Sequence, residues 1–237
     1  HLIFDYYSKS TYNKSREVLN KLLELDEEKS KVYMDTLVSP SYTSAIAQII
    51  QLPGISGMEN NMMIFEFDKE NPENLNQIID NIPLVKAGNL DVCVLGSSRR
   101  QVNFRHGIHV WIKNRDIANS NLMILLSYII LGHPDWRKGK IKIFELCRED
   151  DFEHTRTHLI NMIQTGRLPI STKNIEIIRE DENISAKTLI NSKSSEAGLT
   201  FIGFVEEQLK HNHELFTGYD RIGDVLFVNA SEYHEIR

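Results

Sequence analysis

The run Leu122 to Leu131 (LMILLSYIIL) is apolar almost without interruption. Crossing a bilayer takes about 20 such residues, so the run is only half a span. A helix that is apolar all round must also be covered all round. Its neighbours say by what. Ile108 to Ile112 (IHVWI) before it and Ile141 to Cys147 (IKIFELC) after it have the length and residue types of strands. Asn119 or Ser120 can cap the helix, Gly132 can close it in a left-handed conformation, and Pro134 blocks its continuation. Strand, helix, strand at this spacing implies a right-handed crossover and a parallel sheet.

The scheme continues to the C-terminus. Asp150 or Asp151 caps a helix ending at Gly166, and Asn174 to Ile178 is a strand. Ser185 to Asn191 is a short helix, Leu199 to Phe204 a strand, Glu206 to Phe216 a helix, and Val225 to Val228 the last strand. The first half repeats this order from a later start. Leu2 to Tyr7, Val32 to Val38, Met62 to Phe67 and Leu90 to Leu95 read as strands. Helices run from Asn13 to Asp26 and to Leu52 from Pro40, placed at a first turn; a short one begins at Pro72. MMIFEF-DKENPENL lies against LTFIGF-VEEQLKHN, and LDVCVLG against DVLFVNA. The piece without a counterpart is the first β-α unit, so the sequence is expected to begin part-way into its first half. The expectation is an α/β chain of two tandem Rossmann-like halves with mainly parallel sheets. The first half covers 1–98 and lacks its first β-α unit, a polar linker covers 99–105, and the second half covers 106–237.

At 237 residues the chain can bury a core without a disulfide or metal staple. Its two cysteines, Cys93 and Cys147, sit in apolar strands and are too few for a disulfide framework or a four-ligand zinc site. Buried, reduced thiols in the cytosol are the expectation. A net charge of -6 is wrong for non-specific binding to nucleic acid. No strand leads into G-x-G-x-x-G, and neither a P-loop nor a G-x-S-x-G elbow occurs. Gly54 and Gly57 read as turn glycines. Gly96 to Arg100 (GSSRR) follows a strand and could cradle a phosphate, but it opens a linker rather than a helix.

His154 and His158, beside Glu153, stand four apart at a metal-binding spacing but fall on the solvated side of their helix. His106 and His109 point to opposite faces, and His211 and His213 share none. Trp111 belongs in the core with its indole N–H needing a partner. Arg137, Lys138, Lys140 and Lys142 form the densest basic run. A solvated turn explains it, and a weak contact with an anionic membrane surface is the functional alternative. No two carboxylates stand out as an acid–base couple. No catalytic, cofactor-binding or metal-binding residue is nominated, no cofactor is expected, and the chain is not expected to be an enzyme.

The block from Val110 to Phe144 resembles the C-terminal cytosolic region of cation–chloride cotransporters, of the amino acid–polyamine–organocation superfamily. The shared pattern is Val110-Trp111 on a strand, a Leu-rich helix with Tyr128, Trp136-Arg137, and the strand Lys140 to Phe144. Gln51, Gly54, Gly57 and Asn61 are similar to a second element of that family, with Asn60 standing where it has Pro and Met62 where it has Thr. Ser194-Ser195-Glu196-Ala197 is similar to its Ser-x-x-Ala element. The departures resemble a microbial relative more than an animal carrier.

The resemblance implies two universal-stress-protein-like halves forming a regulatory and dimerisation domain. It implies a homodimer, and a preceding membrane part of about twelve apolar spans near 20 residues each. The domain would lie at the cytoplasmic face of the cell membrane, with the transmembrane part of the same chain as a partner and no nucleic acid. The alternative is a stand-alone universal-stress-protein-like nucleotide-binding protein. Nucleotide-binding relatives carry G-x-x-G and a later Gly-Ser/Thr after their fourth strand; here Leu199 to Phe204 leads into VEEQ and Met62 to Phe67 into DKEN.

Overall fold

The computed structural model describes residues 1–25, 33–54, 59–113, 117–148, 151–165, 170–181 and 183–234. The chain gathers into two compact units: 1–60 with 81–88, and 61–80 with 89–237. In the smaller unit, β1 (Leu2–Phe4) pairs in parallel with β2 (Leu37–Ser39). Helix α1 spans Lys9–Leu25 and α2 spans Tyr42–Gln51. Ser41 caps α2 by accepting from the Ser44 amide, so Pro40 stands before the cap rather than in the first turn.

The larger unit is built on a seven-stranded sheet. Its strands are β3 (Met62–Asp68), β4 (Asp91–Ser97), β5 (Ile108–Lys113), β6 (Ile141–Cys147), β7 (Ile175–Arg179), β8 (Leu199–Gly203) and β9 (Asp224–Asn229). Across the sheet they run β3-β4-β9-β8-β5-β6-β7. Every neighbouring pair is parallel except β4 and β9, which are antiparallel with Val94 opposite Phe227. The α/β fold with a mostly parallel sheet is therefore as expected. Strand β5 lies deep in the order and buries its first five residues, because a strand of a parallel sheet is covered on both faces.

The order β7-β6-β5-β8-β9 belongs to the second repeat. In the first, β1-β2 corresponds to β6-β7 and β3-β4 to β8-β9; β5 has no counterpart among the described residues. The compact units do not divide at linker 99–105. In-register pairing of β4 with β9 draws the last two strands of the first repeat into the sheet of the second. A repeat boundary in sequence is thus not a packing boundary.

Helices α3 (Leu75–Ala87), α4 (Ile117–Leu131), α5 (Phe152–Thr165) and α6 (Ala186–Lys193) connect the strands. Helix α3 begins after Pro72 and carries Pro83 inside it. Residues Glu206–Leu215 form a 3-10 helix rather than an α-helix. Helix α4 starts at Ile117, so Asn119 and Ser120 lie inside it and not at its cap. It ends at Leu131 as expected, but Gly132 is not left-handed; its amide reaches back to Ile129 O at 3.0 Å. Leu122, Met123 and Ile124 are buried where α4 packs on β5, β8 and β9, while Tyr128 and Ile129 stay 47% and 61% exposed. In its later turns Ser127 is still buried and Leu126, Ile130 and Leu131 pack on the core, so the helix is uncovered on one side only.

Gly107 does adopt a left-handed backbone, with φ 74°. Any Cβ there would fall on the Lys140 backbone, which passes directly beside it. That approach aligns the starts of β5 and β6.

Candidate functional site

A doubly wound sheet offers ligands the crevice outside the carboxyl ends of its strands, where the order reverses. Here the reversal lies between β5 and β8. The chain fills the β8 side itself. Phe204, just past β8, is fully buried, and its carbonyl accepts from Asn119 Nδ2 at 2.7 Å and Asn229 Nδ2 at 2.8 Å. Asn119 Oδ1 accepts from the Ala230 amide at 2.6 Å. Two asparagines thus tie α4, β8 and β9 together, and the Phe204 ring lies edge-on to Phe216 at 5.4 Å. Phosphate binding after a strand needs free backbone N–H groups and glycine. The Phe204 amide already donates to Val228 O at 3.0 Å. Asn119 therefore serves the sheet rather than a helix cap, and Asn229, which no motif marks, serves it too. Their polarity inside apolar runs was the available signal.

The second candidate, Gly96 to Arg100, is also engaged by the protein. The Ser98 amide donates to Asp224 Oδ1 at 2.8 Å. Arg100 donates to the carbonyls of Arg221 and Asp220 at 2.8 and 3.0 Å. Arg99 pairs with Glu70 at 3.0 Å and stands 3.6 Å from Asp68. The bond from the Glu70 amide, with Arg99 also contributing, holds the Asp68 carboxyl below its ordinary range. Beside this linker lies a cavity of about 230 Å³ that includes Arg100, His106 and Asp224. His106 Nδ1 is 2.8 Å from Glu196 O, so each of those three already has a partner in the protein.

The Ser-x-x-Ala element acquires a structural role. Ser194, fully buried, follows α6 and stands under β5. Its hydroxyl accepts from Trp111 Nε1 at 2.9 Å and is 2.9 Å from His109 Nδ1. Phe144 stacks on Trp111 at 4.6 Å with an interplanar angle of 13°. This supplies the partner that the Trp111 indole needed. Burial, with Lys142 nearby, pushes His109 down to about 4, so the ring is neutral at neutral pH. A serine beside a neutral imidazole resembles a nucleophile and its base. Both are sealed from solvent, with 0% and 4% exposure, so no substrate reaches them.

Sequence reading passed over Glu145. It shares the face of Ile141 and Ile143 on β6 and is only 6% exposed. Its Oε2 is sealed without a hydrogen-bond partner among the described residues, and desolvation raises the carboxyl to about 7. Both cysteines are buried and free. Burial, with Asp91 beside it, pushes Cys93 up to about 12, which suppresses the thiolate that a nucleophile or metal ligand needs.

Among the described residues no three His, Cys, Asp or Glu side chains gather to hold a metal. His154 is exposed, as its helix face required, while the side chains of His158 and His211 lie outside the described residues. His106 sits in a 3-10 turn before β5 and His109 on the strand, on either side of its start. No described helix is long and apolar enough to cross a membrane.

No known family profile matches the chain. Solved structures do. The cytoplasmic domain of a prokaryotic cation chloride cotransporter superposes with a TM-score of 0.63 at 14% identity, over 99% of this chain and 84% of that one. A functionally unknown protein from Pseudomonas aeruginosa matches with a TM-score of 0.53 at 18% identity, covering 95% of this chain and 80% of its own. A putative universal stress protein from the same organism matches with a TM-score of 0.53 at 19% identity and the same coverage. The shared property is the fold, which is universal-stress-protein-like.

Proposed function

We infer that the chain is a cytosolic regulatory and dimerisation domain of a membrane cation–chloride cotransporter, with no catalysis or ion transport of its own. The observation that carries this reading is the Val110 to Phe144 block, whose resemblance to that family now falls on β5, α4 and β6. A likeness in fold to a cytoplasmic domain of that kind, over 99% of the chain, supports it. The domain would sit at the cytoplasmic face of the membrane, beside the transmembrane part of the same polypeptide, and pair with a second copy.

A second reading is a stand-alone nucleotide-binding stress protein, favoured by the likeness to the Pseudomonas aeruginosa protein of that description. The Asn119–Phe204–Asn229 bonding weighs against it, since those groups occupy the place a nucleotide would use. Two observations test the transporter reading. The coding sequence upstream of His1 is expected to hold about twelve apolar spans of roughly 20 residues each. Sedimentation equilibrium is expected to detect a dimer, and a strict monomer at hundreds of micromolar would remove the dimerisation role.

A further inference from the structure

On the β7 side of the sheet, cations gather around two shallow grooves. A groove of about 350 Å³ is walled by Leu131 and Ile141 and lined by Lys140 and Lys173. A second groove, of about 340 Å³, is lined by Phe152, Ile175 and Arg156, and Lys173 borders it as well. Arg137 and Lys138 are exposed just before Lys140 in the chain. None of these cations has an ion-pair or hydrogen-bond partner for its side chain among the described residues. Of the carboxylates in the same stretch, Glu176 pairs with Lys193 at 2.6 Å, Asp135 is 3.6 Å from His133, a pair only when that ring is protonated, and Glu153 stands one helical turn before Arg156. Lys142 belongs to the opposite face, its strand neighbour being His109.

Tyr128 of α4 lines the first groove, and Ile129 follows it in the chain; both are uncovered. Lys and Arg side chains without a partner among the described residues, beside an exposed tyrosine and isoleucine, make a surface suited to the boundary between water and lipid. From this juxtaposition we propose that the Lys140–Lys173 face docks on an anionic bilayer. Lipid phosphates meet Lys140, Lys173 and Arg156, while Tyr128 and Ile129 enter the headgroup layer. The proposal rests on the transporter reading, which sets a bilayer beside this domain.

The 237-residue chain is floated at low salt with vesicles of phosphatidylcholine alone, or of phosphatidylcholine mixed with phosphatidylserine. Recovery is expected with the anionic vesicles only, and it falls as salt shortens the screening length. The pair Lys140→Gln and Lys173→Gln should weaken it about thirtyfold, the loss of two surface cations. The pair Tyr128→Ser and Ile129→Ser should weaken it too. These side chains are exposed, and thermal unfolding verifies that each variant stays folded. Equal recovery with both vesicles, none with anionic vesicles at low salt, or recovery unchanged by the lysine pair overturns the proposal. So does binding to poly-glutamate without vesicle recovery, which would indicate an acidic protein partner. Absence of membrane spans in the full coding sequence would instead remove the transporter reading, whatever the vesicles show.

Discussion

Glu145 is a carboxyl in an apolar wall, and neutralising it should stabilise the protein above neutral pH. The side chain projects from β6 in line with Ile141 and Ile143, beside Ile112 of β5. Desolvation raises it from the ordinary 4.5 to about 7 in the folded protein. Between those values the folded state keeps a proton that the unfolded chain has released. Stability therefore falls as pH rises through this window, and the loss is complete above about 7. Two and a half pH units at 1.36 kcal/mol each make a loss of about 3 kcal/mol. Glu145→Gln removes the titration and keeps the shape. Urea unfolding of both proteins from pH 4.5 to 8.5 reads the difference. Near pH 4.5 the two should be nearly equal, and at pH 8.5 the variant should be more stable by about 3 kcal/mol. A difference that does not change with pH, or a variant less stable at pH 8.5, would refute the burial argument.

Two further perturbations follow from buried contacts. Ser194→Ala strands Trp111 Nε1 and one nitrogen of His109, and should cost about 1–3 kcal/mol in urea unfolding. The neutral His109 ring gives a second signature: its NMR signals should not titrate between pH 6 and 8, because its transition lies near 4. Gly107→Ala combines a left-handed backbone with a collision against Lys140. It should cost more than the roughly 1 kcal/mol of an ordinary glycine replacement, read as a drop in Tm.

The strands were legible because runs such as IHVWI and IKIFELC are apolar enough to be strands of a covered sheet and too short for anything else. The repeat was legible for the same reason, since corresponding strands carry similar runs. Three features were not. Asn119 has the chemistry of a cap, and only the position of Phe204 three-dimensionally beside it shows that its amide serves the sheet. The exposure of Tyr128 and Ile129 could not be read, because a helix apolar on every side carries no mark of which side stays uncovered. Glu145 looked like any polar residue of an alternating strand. Its place in the series Ile141, Ile143, Glu145 was the signal, and it required knowing that this face is covered by α4 and α5. The candidate site was least legible of all, since what fills the crevice after β8 comes from three separate stretches of chain.

If this α/β domain regulates and dimerises, as proposed, rather than binding nucleotide, calorimetry with ATP shows it most directly. The 237-residue chain at high concentration should give no heat beyond dilution. At the β5–β8 reversal the Phe204 carbonyl is bonded to Asn119 and Asn229, and the loop donors after β4 are bound to Asp224 and to the carbonyls of Asp220 and Arg221. Saturable micromolar binding of ATP would contradict the account and establish the nucleotide-binding reading in its place.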